Sequence, residues 1–151
     1  MNFVELFAKH GGIVGKIARA YARTAADREE LAQEIAAQVW RSYPRFDPAV
    51  AKFSTWLYRV ALNVAISYGR RVRTTPETIE APELAAAEPD PRIAELYAAI
   101  HTLAPLERAL VLLYLEDRSH VEIADVLGLT ETNVAVKLHR IKQTLRQRLG
   151  A

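Results

Sequence analysis

The amino-acid sequence predicts an all-α chain: two small helical domains, residues 1–73 and 92–151, joined by a flexible acidic, proline-rich linker over 74–91. Three observations carry this. On both sides of the linker, apolar residues recur at helical spacing with no strand-like alternation. Between them, Thr74 to Pro91 holds four prolines, five acids and no base, a composition that opposes regular structure. Near the end, a run from Ser119 to Thr132 carries the stop and start signals of two short-linked helices.

In order along the chain, helices are expected at 3–23, 27–43 and 54–72, with Asp27 and Ser54 as caps of the second and third. Pro44 and Pro48 bracket the loop that leads into the third. In the second domain Pro91, Pro105 and Ser119 stand near helix starts, giving helices at 92–102, 105–116, 119–127 and 131–149.

The formal net charge is +2. Its distribution is uneven: residues 1–73 carry 12 basic and 6 acidic side chains, and residues 92–151 carry 8 and 7. There is no cysteine, so disulfides and thiolate metal sites are excluded, in keeping with a reducing compartment. The opening residues have an early acid and no long apolar core, and no stretch approaches a membrane span, so a cytoplasmic protein without membrane insertion is expected. His10, His101, His120 and His139 have no metal-ligand spacing. Gly11-Gly-Ile-Val-Gly15-Lys16 lacks the first glycine and the hydroxyl residue of a phosphate loop and lies in a helical pattern, so neither an enzyme, a metal nor a cofactor is expected.

Ser119 with Glu122 forms a capping-box pattern, in which hydroxyl and carboxylate each satisfy a first-turn N–H. Val121, Ile123, Ala124 and Leu127 give that helix an apolar stripe, and Gly128 ends it. After the Gly128-Leu129 turn, Thr130 or Thr132 can cap a second helix whose Val134, Leu138, Ile141 and Leu145 share an inward face. Thr132, Val136, Arg140, Gln143 and Gln147 lie opposite, with Asn133 and Lys137 on a flank. From Thr132 onward there are five bases and no acid, whereas Arg92 to Glu131 holds three bases and seven acids. A helix-turn-helix whose second helix is this basic suits duplex DNA, where phosphate neutralisation releases counterions.

In the third helix of the first domain, Leu57, Val60, Ala61, Val64 and Tyr68 are expected to face the core, leaving Arg59, Asn63, Ser67, Arg70 and Arg71 on other faces. Phe53, Trp56 and Tyr58 cluster at its start beside Lys52 and Arg45. Aromatic rings interleaved with bases are what unpaired nucleotides need, although core packing is the commoner use of such rings.

Taken together, both domains resemble one family, the extracytoplasmic-function group of bacterial sigma factors, the promoter-specificity subunits of RNA polymerase. Glu30-Leu-Ala-Gln-Glu34, Val39-Trp40 and Pro44-Arg-Phe46 are similar to its core-polymerase-binding helix and following loop. Phe53-Ser-Thr-Trp-Leu57 through Asn63 to Arg70-Arg71 resembles its melting and −10 recognition helix. Leu103-Ala-Pro-Leu-Glu-Arg108 and the run to Leu115 resemble the opening of its −35-binding domain, with Val134, Leu138-His-Arg140 and Leu145 in matching places of the helix-turn-helix.

The resemblance implies that Glu30, Gln33 and Glu34 grip the core polymerase, whose clamp and flap would be the contacted regions. It implies that Lys52, Trp56, Arg59, Asn63, Ser67, Arg70, Arg71 and the loop from Asp47 serve the −10 element, with a flipped base held against that loop. Thr132, Asn133, Val136, Lys137, Arg140 and Gln143 would serve the −35 element, and an anti-sigma factor is an expected partner. Carboxylates at i and i+4 repel weakly, so a basic partner would relieve Glu30 and Glu34.

The sequence also departs from the family's habits. Leu62 stands where an arginine is common, Ser67 where an acid is, Gly69 where a large apolar residue is, and Ala36 where an aromatic is. Ala135 and Val136 replace a common Lys and Ser. The −10 preference is therefore open, as are the packing at Ala36 and the polar reach of the −35 helix. Two rival readings remain: a stand-alone helix-turn-helix regulator, and a sigma-like chain acting mainly through an anti-sigma partner.

Overall fold

The computed structural model describes residues 2–74 and 90–150. Among them all regular structure is helical. Two compact units lie on either side of the residues not described, and each has its own core. The expected linker, apart from its ends, lies outside the described residues.

In the first unit, α1 (Phe3–Lys9), α2 (Gly11–Tyr21), α3 (Ala25–Ser42) and α4 (Phe53–Thr74) follow one another, with a 3₁₀ turn at Tyr43–Arg45 after α3. The single helix expected over 3–23 is thus two. His10 closes α1, its Nδ1 within 2.9 Å of the Leu6 carbonyl oxygen, and the chain restarts at Gly11. A side chain that bonds the backbone locally, followed by two glycines, breaks a run whose apolar period continues on both sides. The would-be phosphate loop is absorbed into α2.

Asp27 is not the cap of α3. Thr24 is, its hydroxyl accepting from the Asp27 N–H at 3.0 Å, which places Asp27 in the first turn where the helix dipole favours its negative charge. Ser54 likewise falls inside the first turn of α4, where the Trp56 N–H donates to the Lys52 carbonyl at 3.1 Å.

The core of this unit is built where α2, α3 and α4 pack on one another. Ile17, Leu31, Ile35, Val39, Leu57 and Leu62 are its most enclosed side chains. The stripe expected on α4 is only partly right. Leu57, Tyr58, Ala61, Leu62, Ala65 and Ile66 are buried, whereas Val60, Val64 and Tyr68 are half-exposed. Because α4 packs against two helices at once, it buries a double-width band instead of a single row. Tyr58 is 3% exposed and belongs to the core, not to a surface for bases.

The second unit comprises α5 (Pro91–Ile100), α6 (Pro105–Leu115), α7 (His120–Leu127) and α8 (Glu131–Leu149), with α8 packed against the other three. The Leu103-to-Arg108 segment has a physical purpose. Glu107 accepts from the Ala104 N–H at 2.9 Å, satisfying a donor at the start of α6. Arg108 donates to the Leu103 and His101 carbonyls at 2.9 and 2.8 Å, tying the end of α5 to α6. Ala109 to Leu113 are five consecutive buried residues, so the middle of α6 is apolar all round.

Ser119 caps α7 by accepting from the Glu122 N–H at 3.2 Å. The return arm of the expected capping box is different: the Glu122 carboxylate takes the Ser119 hydroxyl at 3.1 Å and the Arg118 guanidinium at 3.3 Å. Arg118 supplies a charged donor that a backbone N–H does not match. On α7, Ile123, Ala124 and Val126 are buried while Val121, expected inward, is 59% exposed. A helix of two turns buries only the side that meets its neighbours, and Val126 takes that place.

Gly128 ends α7 with φ +68°, and Thr130 caps α8 by accepting from the Asn133 N–H at 3.1 Å. Asp117, in the turn before α7, also has a left-handed backbone, with φ +57°.

Candidate nucleic-acid interface

In α8, Val134, Leu138 and Ile141 are buried and fix the rotation of the helix. Thr132, Asn133, Val136, Arg140 and Gln143 are exposed on the other side, and Lys137 is half-buried at its edge. Nineteen residues make the helix about 28 Å long, and an α-helix fits the width of the major groove. Asn133 and Val136 lie near the N-terminal end of this face, and Arg140 and Gln143 further along.

The five bases of this helix are not equivalent. Lys142 lies with its Nζ 4.2 Å from the centre of the Tyr114 ring on α6, which draws its cation towards that face. Arg140 is exposed on the face opposite the buried row, and Arg146 and Arg148 complement the C-terminal end of the helix dipole.

The first unit carries a second polar face. On α4, Trp56, Arg59, Asn63, Ser67 and Arg70 fall at i, i+3, i+7, i+11 and i+14, one stripe directly opposite the buried band. Asn63, Ser67 and Arg70 are exposed; Trp56 and Arg59 are half-buried. At its start the stripe meets a loop organised by Asp47, whose carboxylate accepts from the Ala49 N–H at 2.9 Å and whose carbonyl accepts from Val50 at 3.0 Å. The turn leaves Val50 at the tip, 79% exposed.

Between that loop and α1 lies a cleft of about 550 Å³, lined by Leu6, Tyr43, Pro44, Phe46, Pro48, Ala51, Lys52 and Phe53. Its rings are mutually packed. Phe46 meets Phe53 edge-on at 5.6 Å and Trp56 at 5.1 Å, and Tyr43 meets Trp56 at 6.1 Å. Trp56 packs against these rings and does not line the cleft, whose rings are those of Tyr43, Phe46 and Phe53. Lys52 is exposed at the rim and brings a cation to this apolar recess.

A third face is on α3. Glu30, Gln33 and Glu34 are exposed, and the same helical row continues through Ala37 to Trp40, which is 61% exposed. Phe3 of α1 touches Trp40 edge-on with ring centres 5.0 Å apart, so the acidic row ends in an apolar shelf. The exposure of Trp40 was not readable from the helical period alone.

The face is also not independent of α4. Arg71 Nη2 donates to both oxygens of Glu34, at 3.3 and 3.4 Å. Glu34 thus has a basic neighbour within its own unit. Tyr68, one turn before Arg71, is half-buried against this cluster. Burial holds its hydroxyl above the usual tyrosine value, and the charges of Asp27 and Glu30 add to the effect.

Elsewhere, no group of three or more His, Asp or Glu is placed to hold a metal among the described residues. No described helix is long and apolar enough to cross a membrane.

Comparison with known proteins matches residues 6–75 to the model of Sigma-70 region 2 and residues 93–145 to that of Sigma-70, region 4. The chain is 31% identical over 160 residues to the ECF RNA polymerase sigma factor SigE of Mycolicibacterium smegmatis, covering 97% of this chain and 61% of that protein. It spans less than two thirds of that relative's length. It is also 31% identical over 156 residues to the RNA polymerase sigma factor CarQ of Myxococcus xanthus, covering 98% of this chain and 89% of CarQ. Among solved structures, the sigma factor RpoE in complex with the anti-sigma factor NepR from Bartonella quintana is similar at a TM-score of 0.75 and 16% identity, over 99% of this chain and 97% of that one. At that identity the likeness speaks to the fold.

Proposed function

The chain belongs to the extracytoplasmic-function group of the sigma-70 family, and from that premise we propose that it joins core RNA polymerase and directs initiation at promoters bearing its −10 and −35 elements. The observation that carries this reading is the pairing of two separately folded units, each matching a sigma region and each presenting a polar helical face opposite its own core. In this reading the chain is a cytoplasmic binding subunit and performs no covalent chemistry.

The α8 face enters the major groove of the −35 element. Asn133 can bond an adenine through both amide atoms, Val136 can touch a thymine methyl, and Arg140 and Lys137 are better placed for phosphates. The α4 stripe follows the −10 element, with Asn63 and Ser67 at bases and Arg59, Arg70 and Arg71 at phosphates. A base leaving the duplex costs a few kcal/mol, and the cleft beside Asp47 to Phe53 offers rings and a cation to offset it. Glu30, Gln33, Glu34 and Trp40 meet the clamp, and the second unit meets the flap.

An anti-sigma partner is part of this proposal, because RpoE was solved in complex with one. Transcription in vitro with core polymerase on a library of genomic fragments, followed by mapping of start sites, is the test. Initiation at a shared pair of spaced elements is expected. Failure to bind core polymerase, together with specific binding of the chain alone to a palindrome, would favour a stand-alone regulator.

A further inference from the structure

We propose that Glu34 is a positioning residue for Arg71: in the polymerase-free chain it holds the guanidinium against α3, and Arg71 reaches a DNA phosphate only when that ion pair is given up. The inference rests on the reading of α4 as the −10 helix and of α3 as the polymerase face.

Four features support it. The pair joins residues 37 apart in sequence, and one nitrogen of Arg71 is shared by both carboxylate oxygens. Arg71 sits about 80° around α4 from Asn63, on the side that turns towards α3, whereas Arg70 lies on the DNA stripe itself. Glu30 stands one turn from Glu34, so the cation relieves a like-charge neighbour as well as its direct partner. Both members are open to water, with side chains 60% and 42% exposed, so the contact is weak enough to exchange.

The consequence is linkage between two surfaces. A basic side chain of the polymerase that takes Glu34 releases Arg71 for phosphate. By the same equilibrium, a phosphate at Arg71 frees Glu34 for the polymerase, so the two binding events favour one another by a common factor.

The test uses the full chain without polymerase and a short fluorescent single strand of mixed sequence, read by anisotropy. Glu34→Gln and Glu30→Gln change the net charge equally, so Glu30→Gln reports the general electrostatic gain. Glu34→Gln is expected to bind about twofold to fivefold more tightly than Glu30→Gln, the range an exposed ion pair spans, with the excess abolished when Arg71→Gln is added. Thermal melts establish that all variants fold. Equal gains from the two glutamines, with Arg71→Gln still weakening binding, would overturn the positioning role while leaving α4 as the DNA helix. No effect of Arg71→Gln in any background would remove Arg71 from the DNA surface and take the proposal with it.

Discussion

The helix of the second unit proposed to face DNA and its proposed counterpart in the first differ in what fixes their rotation. In α8 a threonine cap, a left-handed glycine just before it and a single buried row of Val134, Leu138 and Ile141 leave one orientation, and the exposed face follows directly. In α4 apolar residues occur on nearly every side, and packing against two helices selects Leu57, Tyr58, Ala61, Leu62, Ala65 and Ile66. A helix anchored by caps can be oriented from its own residues; one wedged between neighbours cannot.

The largest expected effect tests that contrast within α4. Leu62→Ala should cost about 2–5 kcal/mol of stability, because Leu62 is fully enclosed, whereas Asn63→Ala beside it should stay within about 0.5 kcal/mol and weaken binding to −10 DNA instead. Thermal melts of both variants, with single-strand binding, check the pair. A large loss at Asn63 and none at Leu62 would mean that the buried band is misplaced.

Next comes the backbone of the second unit. Gly128→Ala places a side chain at φ +68° and should destabilise by about 1–2 kcal/mol, although nothing crowds the added carbon. Asp117→Gly, at φ +57°, should be neutral or stabilising by up to about 1 kcal/mol. Denaturant melts giving the same sign for both would contradict the turn geometry.

A smaller effect distinguishes two bases on one helix. Arg140→Ala should lower the slope of log affinity against log salt by roughly one, while Lys142→Ala, whose cation rests on Tyr114, should leave that slope unchanged. Titration of −35 duplex over a range of salt concentrations measures both.

The smallest effect is electrostatic. Hydrogen bonds from Arg118 and then Ser119 hold the Glu122 carboxyl below its ordinary value. A depressed folded value means that its contribution is present above the ordinary carboxylate range and is lost as pH falls through the lower, folded value. Acid melts of Glu122→Gln should lack that slight dependence.

The helical class and two-unit plan were legible in the sequence because apolar period and caps are local signals. Residues assigned to DNA or polymerase, from Glu30 to Gln143, are all exposed or half-buried, since polar side chains at those spacings rarely enter a core. What was illegible depended on contacts across the chain. The break at His10 hides within a continuing apolar period, and Tyr58 and Val121 exchange the expected inside and outside through their neighbours. The Glu34 to Arg71 contact has no local signature, because many exposed acids and bases could have met.

The first helix, α1, contributes no buried residue to its unit, and its hold includes ring contacts from Phe3 to Trp40 and Tyr43. Its amide protons should therefore trade with solvent long before those of the α2, α3 and α4 interior. Since Leu6 belongs to the cleft wall, any such opening would also change the recess beside the Asp47 turn.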